Sequence, residues 1–272
     1  MRLRCDPGRL LSDLMSCAQG QRLSNGSVRL LLACFPRSGS TFLASILAHL
    51  PGFQKVSLVP AYGRREQELA LEWLLATHQG LGNYVAQHHV RYSEQTGHLL
   101  TLFALQPIVL VRNIFDVVVS IRDYLKTGAP AIAQAFVPTD LPSWEDERID
   151  EFIADLIVPW YLNFFASWSG CPNRIQFTYE LLIADPAVAV AQVRDRGGLT
   201  VTDAEIAAAV AAARGSPAST RFNVGISGRG KELSAQVVSR IQVLARYYGD
   251  LDLAPIGIAS VSCGSTAQSK AA

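Results

Sequence analysis

Short apolar runs alternate with longer stretches of helical periodicity along this chain. Residues 27–35 (SVRLLLACF) read as a buried strand bounded by turn formers. From Ser40 to Leu50, the apolar side chains of Phe42, Leu43, Ile46, Leu47 and Leu50 share one helical face, and Pro51-Gly52 stops the helix. The same reading predicts strands at 55–59, 83–89, 107–111 and 174–179. It predicts helices at 65–77, 93–104, 114–125, 147–167, 186–196, 203–214 and 233–248. Val117–Val119 favour a strand by propensity alone. Residues 215–231 carry Gly215, Gly225, Gly228 and Gly230 and read as a loop. Strand–helix alternation predicts an α/β fold: a parallel sheet flanked by helices in one domain, 27–258, with ligands at the carboxyl ends of the strands. Residues 1–26 read as an N-terminal extension, with helical spacing at Leu10, Leu11 and Leu14 that breaks at Ser24-Asn25-Gly26. Residues 259–272 are small and polar and are expected to be disordered.

Composition narrows the classes. With 272 residues, 49% hydrophobic, the chain can bury one substantial core. A formal charge of +1 argues against a nucleic-acid partner but leaves room for a small anion. The five cysteines are scattered and form no C-x-x-C pair, so neither a disulfide framework nor a zinc site is expected. The longest apolar stretch, Leu30–Phe35, is too short to span a bilayer, and no signal peptide is evident. A cytoplasmic protein is the expectation.

Two segments carry chemistry. Phe35-Pro36-Arg37-Ser38-Gly39-Ser40-Thr41 lies between a buried strand and an amphipathic helix. A helix N-terminus presents free N–H groups and the positive dipole end, which suits a phosphate. Gly39 allows close backbone approach, Ser38, Ser40 and Thr41 add hydroxyls, and Arg37 adds a charged fork. Against the ATPase pattern G-x-x-x-x-G-K-[ST], Gly39 and Thr41 match, while Ser40 replaces the lysine and Cys34 the first glycine. That disfavours ATP or GTP hydrolysis. An ordinary strand–helix turn with a serine cap is the plainer reading of the loop alone. The second segment, Val109–Ser120, places Arg112 at a strand end and Ser120 eight residues on, so the two can grip one phosphate. A surface ion pair of Arg112 with Asp116 is the alternative.

These residues resemble the PAPS-dependent sulfotransferases, where PAPS is 3′-phosphoadenosine-5′-phosphosulfate. P-R-S-G-S-T resembles the 5′-phosphosulfate loop, which has lysine in place of Arg37 in the cytosolic branch. Arg112, Asn113, Asp116, Val117, Val119 and Ser120 match the 3′-phosphate motif R-[ND]-x-x-D-V-x-V-S. The resemblance implies a P-loop-like sheet, a helix over Val117–Val119, PAPS as donor, adenosine 3′,5′-bisphosphate (PAP) as product, and no metal. Tyr179-Glu180-Leu181 resembles a segment whose tyrosine lies near adenine. Gly225-Ile226-Ser227-Gly228 resembles a late glycine loop whose Arg-Lys pair is replaced here by Asn223-Val224, leaving Arg221 or Arg229 to supply charge. His89 falls at the position of the family's general base in K-T-H, with Gln87 in place of the lysine. Golgi-type relatives use a glutamate near the second strand, which makes Glu66 and Glu68 the rival bases. By strand alternation only one of His88 and His89 can face the cofactor, and the resemblance selects His89. The expected acceptor is a small molecule, carbohydrate or lipid. A kinase with a modified P-loop and a non-catalytic nucleotide-binding module are the competing classes.

Overall fold

The computed structural model describes residues 7–23, 26–60, 66–128, 132–215 and 226–259. Five strands form one sheet: β1 Arg29–Cys34, β2 Phe53–Val56, β3 Asn83–His88, β4 Leu105–Val111 and β5 Ile175–Thr178. All pair in parallel, in the order β2-β3-β1-β4-β5. The helices between Pro7 and Ser169 are α1 Pro7–Ala18, α2 Ser40–Ala48, α3 Leu71–Gly80, α4 Glu94–Leu102, α5 Ile114–Lys126, α6 Asp146–Leu156 and α7 Val158–Ser169. Those beyond β5 are α8 Tyr179–Ala184, α9 Pro186–Gly197, α10 Asp203–Arg214 and α11 Ala235–Ala245.

Alternation along the strands divides the core in two. Leu30, Leu32, Val85, Ile108, Leu110 and Ile175 face α2, α9 and α10. Leu31, Ala33, Tyr84, Ala86, Val109 and Val111 face the layer of α4, α5 and α7, where Val117, Tyr161 and Phe164 are buried. Both faces are covered, which is why β1 and β4 read as continuous apolar runs. The chain passes from β1 to the edge strand β2, returns to β3 between the two, then crosses to β4 and β5. The crevice where the order reverses lies beside the ends of β1 and β4.

The predicted α/β class and single parallel sheet are found. Residues 114–126 are helical, as the resemblance implies and against the β-propensity of Val117–Val119. Asn113 caps that helix, its Oδ1 accepting from Phe115 N at 3.0 Å. Three predicted elements differ. The helix expected at 147–167 is two, because Pro159 in the first turn of α7 cannot donate a helical N–H and Ile157 ends α6. The helix expected from 65 starts at Leu71, since Gln67 pairs with Val90 as an extended bridge. The second strand spans 53–56 rather than 55–59: Leu58 N donates to a histidine ring instead of a ladder. The tail from Ser260 and the break at Ser24-Asn25 lie outside the described residues. No helix among the described residues is long and apolar enough to cross a membrane.

Candidate active site

The loop after β1 is held by backbone geometry. Phe35 N donates to Leu110 O at 3.1 Å, so the strand end stays tied to β4. Arg37 and Gly39 both adopt left-handed backbone, at φ 67° and 76°, turning the chain into α2. A Cβ on residue 39 would lie 2.9 Å from Tyr179 Cδ2, so only glycine fits there. Gly39 provides no side-chain cap, which leaves the first N–H groups of α2 for a ligand. The Ser38 hydroxyl is fully buried and donates to Phe35 O at 2.7 Å, so it shapes the loop. Ser40 Oγ and Thr41 Oγ1 accept from Gln87 Nε2 at 2.8 and 3.5 Å, leaving their own protons to donate elsewhere.

Arg112 leaves β4 beside this loop. Its Nη1 donates to Arg37 O at 3.0 Å and its Nη2 to Ile226 O at 2.9 Å. The guanidinium stacks 4.2 Å over the Tyr179 ring. Only 6% of Arg112 is exposed, and its Nε has no hydrogen-bond partner among the described residues. Ser120, on α5, accepts from Arg37 Nε at 3.1 Å. Arg37, Arg112 and Ser120 therefore meet. Burial lowers the Arg37 pKa, and the nearby Arg112 charge adds to the effect.

Asp116 is 2% exposed and is not part of a surface pair. Its two oxygens accept from Gly228 N and Gly230 N, each at 2.7 Å, with Arg112 3.9 Å away. It thus pins the late glycine loop to α5. A Cβ at residue 230 would come within 2.5 Å of Phe115 Cβ. Gly225, Arg221 and Asn223-Val224 lie outside the described residues. Arg229, the candidate for the missing charge, is paired with carboxylates. Its Nη1 donates to Asp123, while Nε and Nη2 donate to Glu232 at 3.0 and 3.4 Å. Tyr179 is 4% exposed, wedged between Gly39 and Arg112, and Glu180 Oε1 accepts from Asn113 N at 3.2 Å.

The two histidines point apart. His88 Nε2 accepts from Leu58 N at 2.9 Å, so a second proton there would break the bond. Burial, with the charges of His89 and Lys55, pushes its pKa down to about 3. His89 Nδ1 lies 2.9 Å from Cys34 O. A carbonyl can only accept, so Nδ1 carries the proton and Nε2 keeps a lone pair, with no partner among the described residues. Burial lowers the His89 pKa, and the Cys34 carbonyl opposes that. Cys34 itself is raised to about 12 by burial.

Beyond His89, Val59, Pro60, Glu66, Gln67, Glu68 and Leu69 line a cavity of about 330 Å³. Gln67 Oε1 accepts from His89 N at 2.7 Å, linking cavity and histidine. Glu66 Oε1 is engaged by Trp160 Nε1 at 2.6 Å and lies 3.9 Å from Arg91, whereas Glu68 is exposed. Sequence reasoning missed Lys55. Its Nζ donates to Gln87 Oε1 at 3.0 Å from the neighbouring strand. The signal available was a glutamine where the resemblance expects a lysine, but locating the substitute cation needs the β2–β3 register.

Neither a family model nor a curated protein matches the chain. Among solved structures, the mouse sulfotransferase SULT7A1 complexed with PAP is similar, with a TM-score of 0.61 and 16% identity over 89% of each chain. The sulfotransferase STF9 from Mycobacterium avium matches 90% of this chain and 81% of its own at 11% identity and a TM-score of 0.48. At such identities the likeness concerns architecture, and the mouse structure carries it. This chain has the sulfotransferase fold.

Proposed function

We propose that the chain transfers a sulfuryl group from PAPS to a hydroxyl or amine of a small-molecule, carbohydrate or lipid acceptor, without a metal. The observation that carries this reading is the meeting of Arg37, Arg112 and Ser120 at the crevice between β1 and β4. The residues fit a bis-phosphorylated nucleotide. Arg112 is a buried cation with an unpartnered Nε, and the uncapped start of α2 lies beside it. Its 3.9 Å approach to Asp116 leaves the guanidinium short of a close carboxylate partner. That the mouse protein of like fold was solved with PAP supports the same reading.

Bound PAPS supplies the sulfuryl group and a leaving phosphate oxygen. The chain does the rest. The α2 amides, the Ser40 and Thr41 hydroxyls and Arg37 hold the 5′-phosphate end, and Arg112 with Ser120 holds the 3′-phosphate. Gly228, pinned by Asp116, belongs to the late glycine loop for which the resemblance also names Gly225, and Tyr179 stacks beneath Arg112 instead of lying open to a base. His89 Nε2 takes the acceptor proton, its ring fixed by the Cys34 carbonyl. Glu66 is the weaker rival, being occupied by Trp160. Scattered free cysteines support a cytoplasmic location.

Calorimetric titration with PAP, against ATP plus Mg²⁺, separates this reading from a kinase. Labelled PAPS offered to an acceptor panel separates it from a non-catalytic module. PAP binding and sulfate transfer are expected. Binding of ATP with Mg²⁺ but not PAP overturns the assignment.

A further inference from the structure

The phosphate loop has no cation at the position before Thr41, where ATPase loops carry lysine. Gln87, beside it on β3, is neutral. The edge strand brings a cation to that glutamine. In the parallel register Lys55 lies opposite Val85, so Lys55 and Gln87, two residues on, share one sheet face. That face also carries Leu32 and Cys34 of β1 and packs on α2. The Lys55 ammonium donates to Gln87 Oε1 at 3.0 Å, and the same amide donates through Nε2 to Ser40 Oγ at 2.8 Å. The glutamine is therefore a bridge whose two ends are ordered by the charge on one side and the loop hydroxyl on the other. Lys55 has three N–H donors, and no carboxylate pairs with it among the described residues. Its charge is felt at the strand end: it helps depress the His88 pKa and partly offsets the burial that raises Cys34.

We propose that Lys55, aimed by Gln87, binds the 5′-phosphate end of the donor nucleotide at the oxygen from which sulfur departs. This rests on the sulfotransferase reading above. In transfer, the acceptor oxygen bonds to sulfur and its proton passes to His89. The bond from sulfur to the bridging oxygen breaks, and its electron pair remains on that phosphate oxygen. An ammonium beside that oxygen favours the charge present late in the reaction over the charge present early, so it acts on rate as well as on product affinity.

The test compares PAP with adenosine 3′-monophosphate, which lacks the 5′-phosphate. Both are titrated by calorimetry into wild type, Lys55→Met, Lys55→Arg and the double variant Lys55→Met/Gln87→Lys. Lys55→Met should weaken PAP about tenfold, the loss of one charge-assisted contact, and leave adenosine 3′-monophosphate within about twofold. Lys55→Arg should hold PAP near wild type. The double variant, which moves the ammonium one strand inward, should regain most of the loss. Hydrolysis of labelled PAPS, with water as acceptor, should fall at least about tenfold in Lys55→Met and recover in the same two variants. Unchanged PAP affinity in Lys55→Met overturns the proposal, as does an equal loss of both nucleotides. A wild type that binds neither nucleotide sinks the donor reading itself, a result distinguishable from failure of Lys55 alone.

Discussion

The two halves of the candidate site are built differently. The half around β1 and β4 is dry and cross-linked: Ser38, Arg112, Asp116 and Ser120 are all at most 6% exposed. Each is bonded to a loop or strand other than its own turn, Ser38 excepted. The half beyond β3 is open. Glu66, Glu68 and Arg91 are exposed around the cavity. His89 ties its inner wall through Cys34 and Gln67. On the proposed function, the contrast matches a nucleotide in the cross-linked half and an acceptor in the open one. A bis-phosphorylated ligand repays desolvation only where donors are already fixed, whereas acceptor choice needs shape more than charge.

The sharpest way to break this division is His89→Ala. On the proposed division it lowers kcat about 10²–10⁴-fold, the range for loss of a general base, with PAP affinity unchanged. Loss of PAP binding instead would move His89 to the nucleotide half. Because burial lowers the His89 pKa, the base is neutral over a wider range, and the rate should decline only when pH falls below the ordinary histidine range. Arg112→Ala comes next. It should weaken PAP roughly tenfold or more by calorimetry, since charge-assisted bonds contribute about 1.5–3 kcal/mol each.

The smallest effect is thermodynamic and belongs to His88, which marks the boundary between the halves. Its folded pKa of about 3 lies below the unfolded value, so the unfolded chain binds more protons between the two. Stability from this residue is complete above the unfolded pKa and is lost as pH falls through it. The slope is about 1.4 kcal/mol per pH unit. Chemical denaturation at pH 7 and pH 5 should show a smaller acid loss in His88→Gln than in wild type. Equal losses would mean that burial does not hold the His88 ring neutral in the folded protein.

The geometry of the half around β1 and β4 was legible in the sequence because its parts are local. In each of Arg37–Thr41 and Arg112–Ser120 a buried strand, a short turn and a helix are contiguous, so each reads as a unit. Strands β1 and β4 were equally plain as short runs buried on both faces. What depended on distant partners was not legible. Lys55 meets Gln87 only through the register of β2 on β3. Arg229 looked free for a phosphate until Asp123, far along the chain, claimed it. The helix read at 147–167 has an apolar pattern that continues across Pro159, so periodicity hid the break. The start of α3 was misplaced because Gln67 follows Val90 rather than its own neighbours.

The left-handed backbone at Arg37 has a consequence for how this chain can change. A non-glycine residue at φ 67° carries roughly 1–2 kcal/mol of steric cost, while glycine carries almost none. Selection for heat tolerance alone therefore favours glycine at position 37. That same exchange removes the guanidinium that reaches Ser120. On the proposed function, stability and activity therefore pull this one position in opposite directions.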